Sequence, residues 1–112
     1  MMMRNFQTVV LERMSWVTGR FQTEPYECGW ASEAIFVVRV YEIEGIINLS
    51  STVQLSVDGI EWMDDDLSFP RIEGTGSFFL RVRHFGGWLR LASVVGGTGA
   101  RARLTIYLVL KE

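Results

Sequence analysis

The chain has 112 residues, 48% of them hydrophobic, and 13 acids against 11 bases for a net charge of −2. That length suits one folded domain, and the acidic balance opposes non-specific attraction to a phosphate backbone. A single cysteine, Cys28, excludes an internal disulfide.

In chain order, the opening MMMRNFQTVVLERMSW lacks the apolar run and small-residue cleavage site of a secretory signal, so the chain is expected to be soluble and made in the cytosol. The segment AIFVVRVYEIEGII is the most apolar. Arg39, Glu42 and Glu44 interrupt it well short of the ~18 to 20 apolar residues that cross a membrane, so no membrane partner is expected. Ile35, Val37, Tyr41 and Ile43 alternate there with Ala34, Phe36, Val38 and Val40, which predicts a strand covered on both sides. Val53, Leu55 and Val57 then alternate with Gln54 and Ser56 up to Asp58-Gly59, a pair that tolerates positive φ and predicts a turn.

The run DDDLSF from Asp64 suits a short helical turn, because acids favour a helix N-terminus. In GSFFLRVRHF, Phe78, Leu80 and Val82 face one way and Phe79, Arg81 and Arg83 the other. GGTGA, Gly96 to Ala100, has glycines without the lysine and hydroxyl of a phosphate loop and reads as a hairpin turn. In ARARLTIYLVLKE the set Ala102, Leu104, Ile106, Leu108 and Leu110 alternates with Arg101, Arg103, Thr105, Tyr107 and Lys111. Period-two runs with frequent glycine punctuation, and no sustained helical period, predict an all-β fold: one antiparallel β-sandwich or jelly-roll domain over residues 1–112, with about seven or eight strands.

The order Ser56, Asp58-Gly59, Trp62, then the strand residues Trp88, Leu89, Arg90 and Leu91, then the closing strand RARLTIYLVL, resembles the discoidin-type (F5/8 type C) jelly-roll modules over residues 53–112. The chain is shorter than such modules and lacks the cysteine pair that closes many of them. Its size is also similar to small jelly-roll accessory and decoration proteins of phage virions. The discoidin resemblance implies that Trp62 folds over the end of the sandwich into the core. The alternative is a sugar-stacking platform drawn from Trp16, Trp30, Trp62 and Trp88.

Catalytic groupings are thin. His84 is the single histidine, read as a strand-end residue, and Cys28 reads as a small buried hydrophobe. Asp64, Asp65 and Asp66 lack the ligand spacing of a calcium loop, so neither a metal nor a cofactor is expected.

Charge is divided along the chain: residues 1–73 carry −7 and residues 74–112 carry +5. If Arg81, Arg83, Arg101 and Arg103 form one basic patch, it opposes the acidic run Asp64 to Asp66, and copies of the chain could pack acid against base. Equally, acidic and basic strands could neutralise each other within one sheet. Ten arginines against one lysine favour interfaces, because guanidinium groups pair in planar forks. Two function classes follow. One is a non-catalytic structural or interaction subunit, self-associating or bound to a capsid or tail protein of a phage-like virion. The other is a carbohydrate-binding module. A nucleic-acid partner ranks third.

Overall fold

In the computed structural model, which describes residues 5–83 and 85–112, the period-two runs become nine strands. They are β1 (Phe6–Val17), β2 (Gly19–Gln22), β3 (Tyr26–Glu27), β4 (Glu33–Glu44), β5 (Asn48–Ser56), β6 (Met63–Ser68), β7 (Gly76–Val82), β8 (Trp88–Gly96) and β9 (Arg101–Lys111). Two antiparallel sheets stack as a sandwich. One has the order β1-β9-β4-β7; the other has β2-β8-β5-β6, with β3 also on β8. His84, read above as a strand-end residue, lies outside the described residues.

The pairing is nested: β5 with β6, β4 with β7, β2 and β3 with β8, β1 with β9. A long hairpin folded about the β5–β6 turn and rolled so that each arm alternates between sheets gives this pattern, which is the jelly-roll topology. The roll closes where β9 pairs with β4 and β8 with β5. The two-residue β3 continues the edge begun by β2 after an interruption at Pro25, which has no N–H to give a neighbouring strand. Thr23 bridges the interruption: its hydroxyl accepts from Leu91 N at 2.9 Å while its own N–H donates to Leu91 O at 3.0 Å.

Side-chain alternation places the core between the sheets. Phe36, Val38, Leu104, Ile106, Leu108 and Leu110 from one sheet meet Leu49, Val53, Leu89 and Leu91 from the other, all fully buried. Inside this layer the hydroxyls of Ser51 and Ser93 satisfy each other at 2.8 Å. Burying two hydroxyls without partners would be costly; pairing them removes most of that penalty.

Two expectations are corrected. DDDLSF is strand β6 rather than a helical turn, because the edge of β5 is available for pairing and Leu67 and Phe69 reach the core at a spacing of two. GGTGA is a crossover between sheets rather than a hairpin turn, since β8 and β9 belong to different sheets. Gly97 is required there: its φ is 107°, and a Cβ would lie 2.5 Å from the carbonyl oxygen of Ile46 in the neighbouring β4–β5 crossover.

β4 carries a bulge that its apolar alternation does not mark. Register slips between Val40 and Glu42, so Ile43 turns inward and Glu42 and Glu44 turn outward, opposite Arg103 and Arg101. Unbroken alternation from Val40 would have aimed both carboxylates into the core.

Candidate functional site

The turn that resembles the discoidin motif is built by its own side chains. The buried Ser56 hydroxyl accepts from Gly59 N at 2.8 Å and Asp58 N at 3.3 Å and donates to Asp58 Oδ1 at 3.0 Å. That carboxylate oxygen accepts in turn from Ile60 N at 2.9 Å and Glu61 N at 3.1 Å. These donors favour the ionised form, so the Asp58 carboxyl is held below its ordinary range, chiefly by the Ile60 and Glu61 N–H groups and then by Ser56.

Trp62 does not fill the core as the resemblance implied. It lies half-buried over the outer face of the β2-β8-β5-β6 sheet, with the Arg90 guanidinium 4.2 Å from its ring centroid. The ring that packs against the turn is Trp88, which is so close that a Cβ on Gly59 would sit 3.0 Å from it. Gly59 is also at φ 78°, a conformation that glycine adopts freely.

From Trp62 a polar relay runs across the sheet. Arg90 Nε donates to Gln54 Oε1 at 2.7 Å, and Gln54 Nε2 donates to Asp64 Oδ1 at 2.7 Å. Beside it lies an open cleft of about 280 Å³, with Arg20, Gln22, Ser50 and Thr52 among its walls. The other three tryptophans do not join Trp62 in one platform. Trp16 is on the opposite sheet beneath Arg101, 4.3 Å from the guanidinium carbon; Trp30 is packed against the core; Trp88 lies under the turn.

The four arginines are divided as well. Arg101 forks onto Glu44, Nε to Oε2 at 2.6 Å and Nη2 to Oε1 at 2.8 Å, and Arg103 Nη1 reaches Glu42 Oε1 at 3.2 Å. Arg101 holds the Glu44 carboxyl below its ordinary range, mainly through this hydrogen bond. For this pair, neutralisation within one sheet is the arrangement observed. Arg81 and Arg83 instead flank a cleft of about 210 Å³ with Lys111 and Glu33 at the other end of the sheet. The register places Arg81 across β4 from Val109, and the six residues back to Arg103 span about 20 Å of strand. One basic patch of four arginines is therefore not formed. Of the acids, Asp64 is held by Gln54, Asp65 Oδ1 accepts from Leu67 N at 3.2 Å, and Asp66 is exposed.

The outer face of the β1-β9-β4-β7 sheet carries what the charge pattern had hidden. The pairings Val10↔Tyr107, Tyr107↔Val37 and Val37↔Phe79 run one apolar row across all four strands, with Ile35 and Val109 in the next row. Phe79 is 57% exposed and the others are half-buried. Arg81 lies 4.9 Å from the Phe79 ring centroid and Arg39 lies 5.3 Å from that of Tyr107, so aliphatic stems and guanidinium planes cover part of the row. Each strand alone shows one or two of these residues between charges. The row exists only once register is known.

Cys28 is fully buried, its N–H donating to Gly87 O at 2.7 Å. Burial, with a smaller contribution from the nearby Glu27 charge, pushes its thiol up to about 12. Among the described residues no group of three or more histidine, cysteine, aspartate or glutamate side chains is placed to hold a metal ion.

No protein-family model and no curated protein sequence matches the chain. Among solved structures, the fold is similar to part of dimeric latent PorU from Porphyromonas gingivalis, with a TM-score of 0.52 and 10% sequence identity. The match covers 97% of this chain and 13% of that one. At this identity the similarity concerns the β-sandwich alone.

Proposed function

We propose that this jelly roll is a non-catalytic interaction domain that works by association, through the outer face of its β1-β9-β4-β7 sheet. The observation that carries the reading is the apolar row Val10, Tyr107, Val37 and Phe79, which crosses every strand of that sheet and ends on an aromatic ring 57% exposed. Scattered apolar side chains are normal on a surface, whereas a contiguous row fits a protein-binding face. Arginines at its margin suit such a face, since guanidinium groups are less costly to desolvate than ammonium groups. A subunit of a larger particle, such as a phage-like virion, is one setting in which a small jelly roll would act this way. The test is the solution mass of the chain with and without Phe79→Glu, which places a charge in the row without touching the core. Association lost in the variant supports the reading; equal association in both contradicts it.

The cleft on the other sheet favours a second reading, a glycan site. Gln22, Ser50, Thr52, Gln54 and Asp64 supply amide, hydroxyl and carboxylate groups suited to sugar hydroxyls, and the Trp62 ring stands at the far side of Arg90, which bonds to Gln54, to offer an apolar sugar face a surface. Calorimetric titration with soluble oligosaccharides tests it. Binding that weakens in Trp62→Ala and Gln22→Ala supports the site, and no heat with any sugar removes it.

A further inference from the structure

Each sheet has two edges, and the four edge strands are not alike. A free edge presents a row of unpaired N–H and C=O groups to any strand that can reach it, and sequences guard such edges with bulges, charges, proline or shortness. β1 slips register twice against β9 and carries Met14 at φ 49°. The β2–β3 edge is four and then two residues long, split at Pro25. β6 is bulged against β5 and bears Asp64, Asp65 and Asp66. β7 has no bulge and no proline, and it is not short. Its seven residues, GSFFLRV, stay in continuous register with β4 from Ala34↔Val82 to Val40↔Gly76, and Arg81 is the lone charge. Among the described residues no strand other than β4 pairs with it.

Resting on the association reading above, we infer that the partner is a second copy of this chain and that the two join along β7, antiparallel, making one continuous sheet across a twofold axis. The strand is complementary to itself. Full overlap of Gly76–Val82 with its copy puts the midpoint, Phe79, on the axis. Phe79 then faces Phe79, Phe78 faces Leu80, Ser77 faces Arg81 and Gly76 faces Val82, so no like charges meet. On the outer face the row Val10, Tyr107, Val37 and Phe79 continues through the axis into the same row of the other subunit. The contact is isologous and closes at two subunits, since β7 is consumed in forming it.

The test is oxidative cross-linking of single-cysteine variants. Directly opposed residues in an antiparallel pair lie about 4.5 to 5.5 Å apart, within disulfide reach. Phe79→Cys should therefore yield a covalent dimer under mild oxidation. Ser77→Cys should not, being ~13 Å along the strand from the position opposite its own copy. The native thiol, Cys28, is buried and does not confuse the result. Cross-linking of Phe79→Cys with Ser77→Cys silent supports the β7 dimer. An unmodified chain that is dimeric while Phe79→Cys stays unlinked overturns the β7 contact but leaves association through another surface. An unmodified chain that is monomeric overturns both.

Discussion

Ser56 is the residue on which the β5–β6 turn depends most. Its buried hydroxyl accepts from two backbone N–H groups and positions the carboxylate that caps two more. Ser56→Ala strands these donors and should cost about 1 to 3 kcal/mol, read from chemical denaturation with an unchanged m-value. Asp58 makes the turn sensitive to acid. Its folded carboxyl titrates below its unfolded value, so its contribution is complete above the unfolded value and is lost as pH falls through the lower folded one. The Arg101-paired Glu44 adds in the same direction. Thermal midpoints should therefore drop as pH falls from about 5 to about 3, less steeply in Asp58→Asn, as calorimetry across that range would check. Cys28 follows from burial alone. With its thiol pushed up to about 12, it should resist alkylation in the native chain at neutral pH and react once denaturant is added, a difference that mass spectrometry reads directly. Ser56, Asp58 and Gly59 were legible as a turn because those residue types carry it locally. Which tryptophan packs beneath them was not, since Trp62 and Trp88 are distinguished by how strands meet.

At the scale of elements, strands with one buried face announced themselves. β7 and β9 alternate as their sequences do, whereas β4, expected to be covered on both sides, is covered on one: a two-layer sandwich leaves its outer face open, with Ile35 and Val37 half-buried and Tyr41 39% exposed. The misread elements share a cause. Asp64 to Asp66 have a local preference for a helix start, yet the edge of β5 offers hydrogen bonds and the core accepts Leu67 and Phe69, so tertiary pairing outweighs propensity. Glycines at 96–100 permit a hairpin or a crossover equally well, and only the sheet assignment of β8 and β9 decides between them. The bulge after Val40 is invisible in composition but decides where Glu42 and Glu44 point. The Ser51–Ser93 pair gives a prediction at this scale. Removing one hydroxyl strands the other in the core, so Ser51→Ala alone should be more destabilising than the sum expected from its lost bond, and Ser51→Ala with Ser93→Ala should recover part of the loss in a double-mutant cycle.

Across the whole molecule, folding neutralises the separation of acidic and basic residues along the chain where β4 meets β9. Arg101 and Arg103 are matched by Glu44 and Glu42 on the adjacent strand, while Arg81 and Arg83 stand about 20 Å away beside Lys111. Assembly by long-range charge matching would weaken with salt, because the screening length falls from about 10 Å at 0.1 M to about 3 Å at 1 M. An apolar row and a backbone edge do not depend on that length. Apolar contacts are also area-driven, so raising salt leaves them intact or strengthens them. The most direct measurement is the mass of the unmodified chain by light scattering over a range of concentration at both salts. The account predicts twice the 12.8 kDa of one chain at ~0.1 M and at ~1 M salt. A species that remains at the mass of one chain under all these conditions would contradict it.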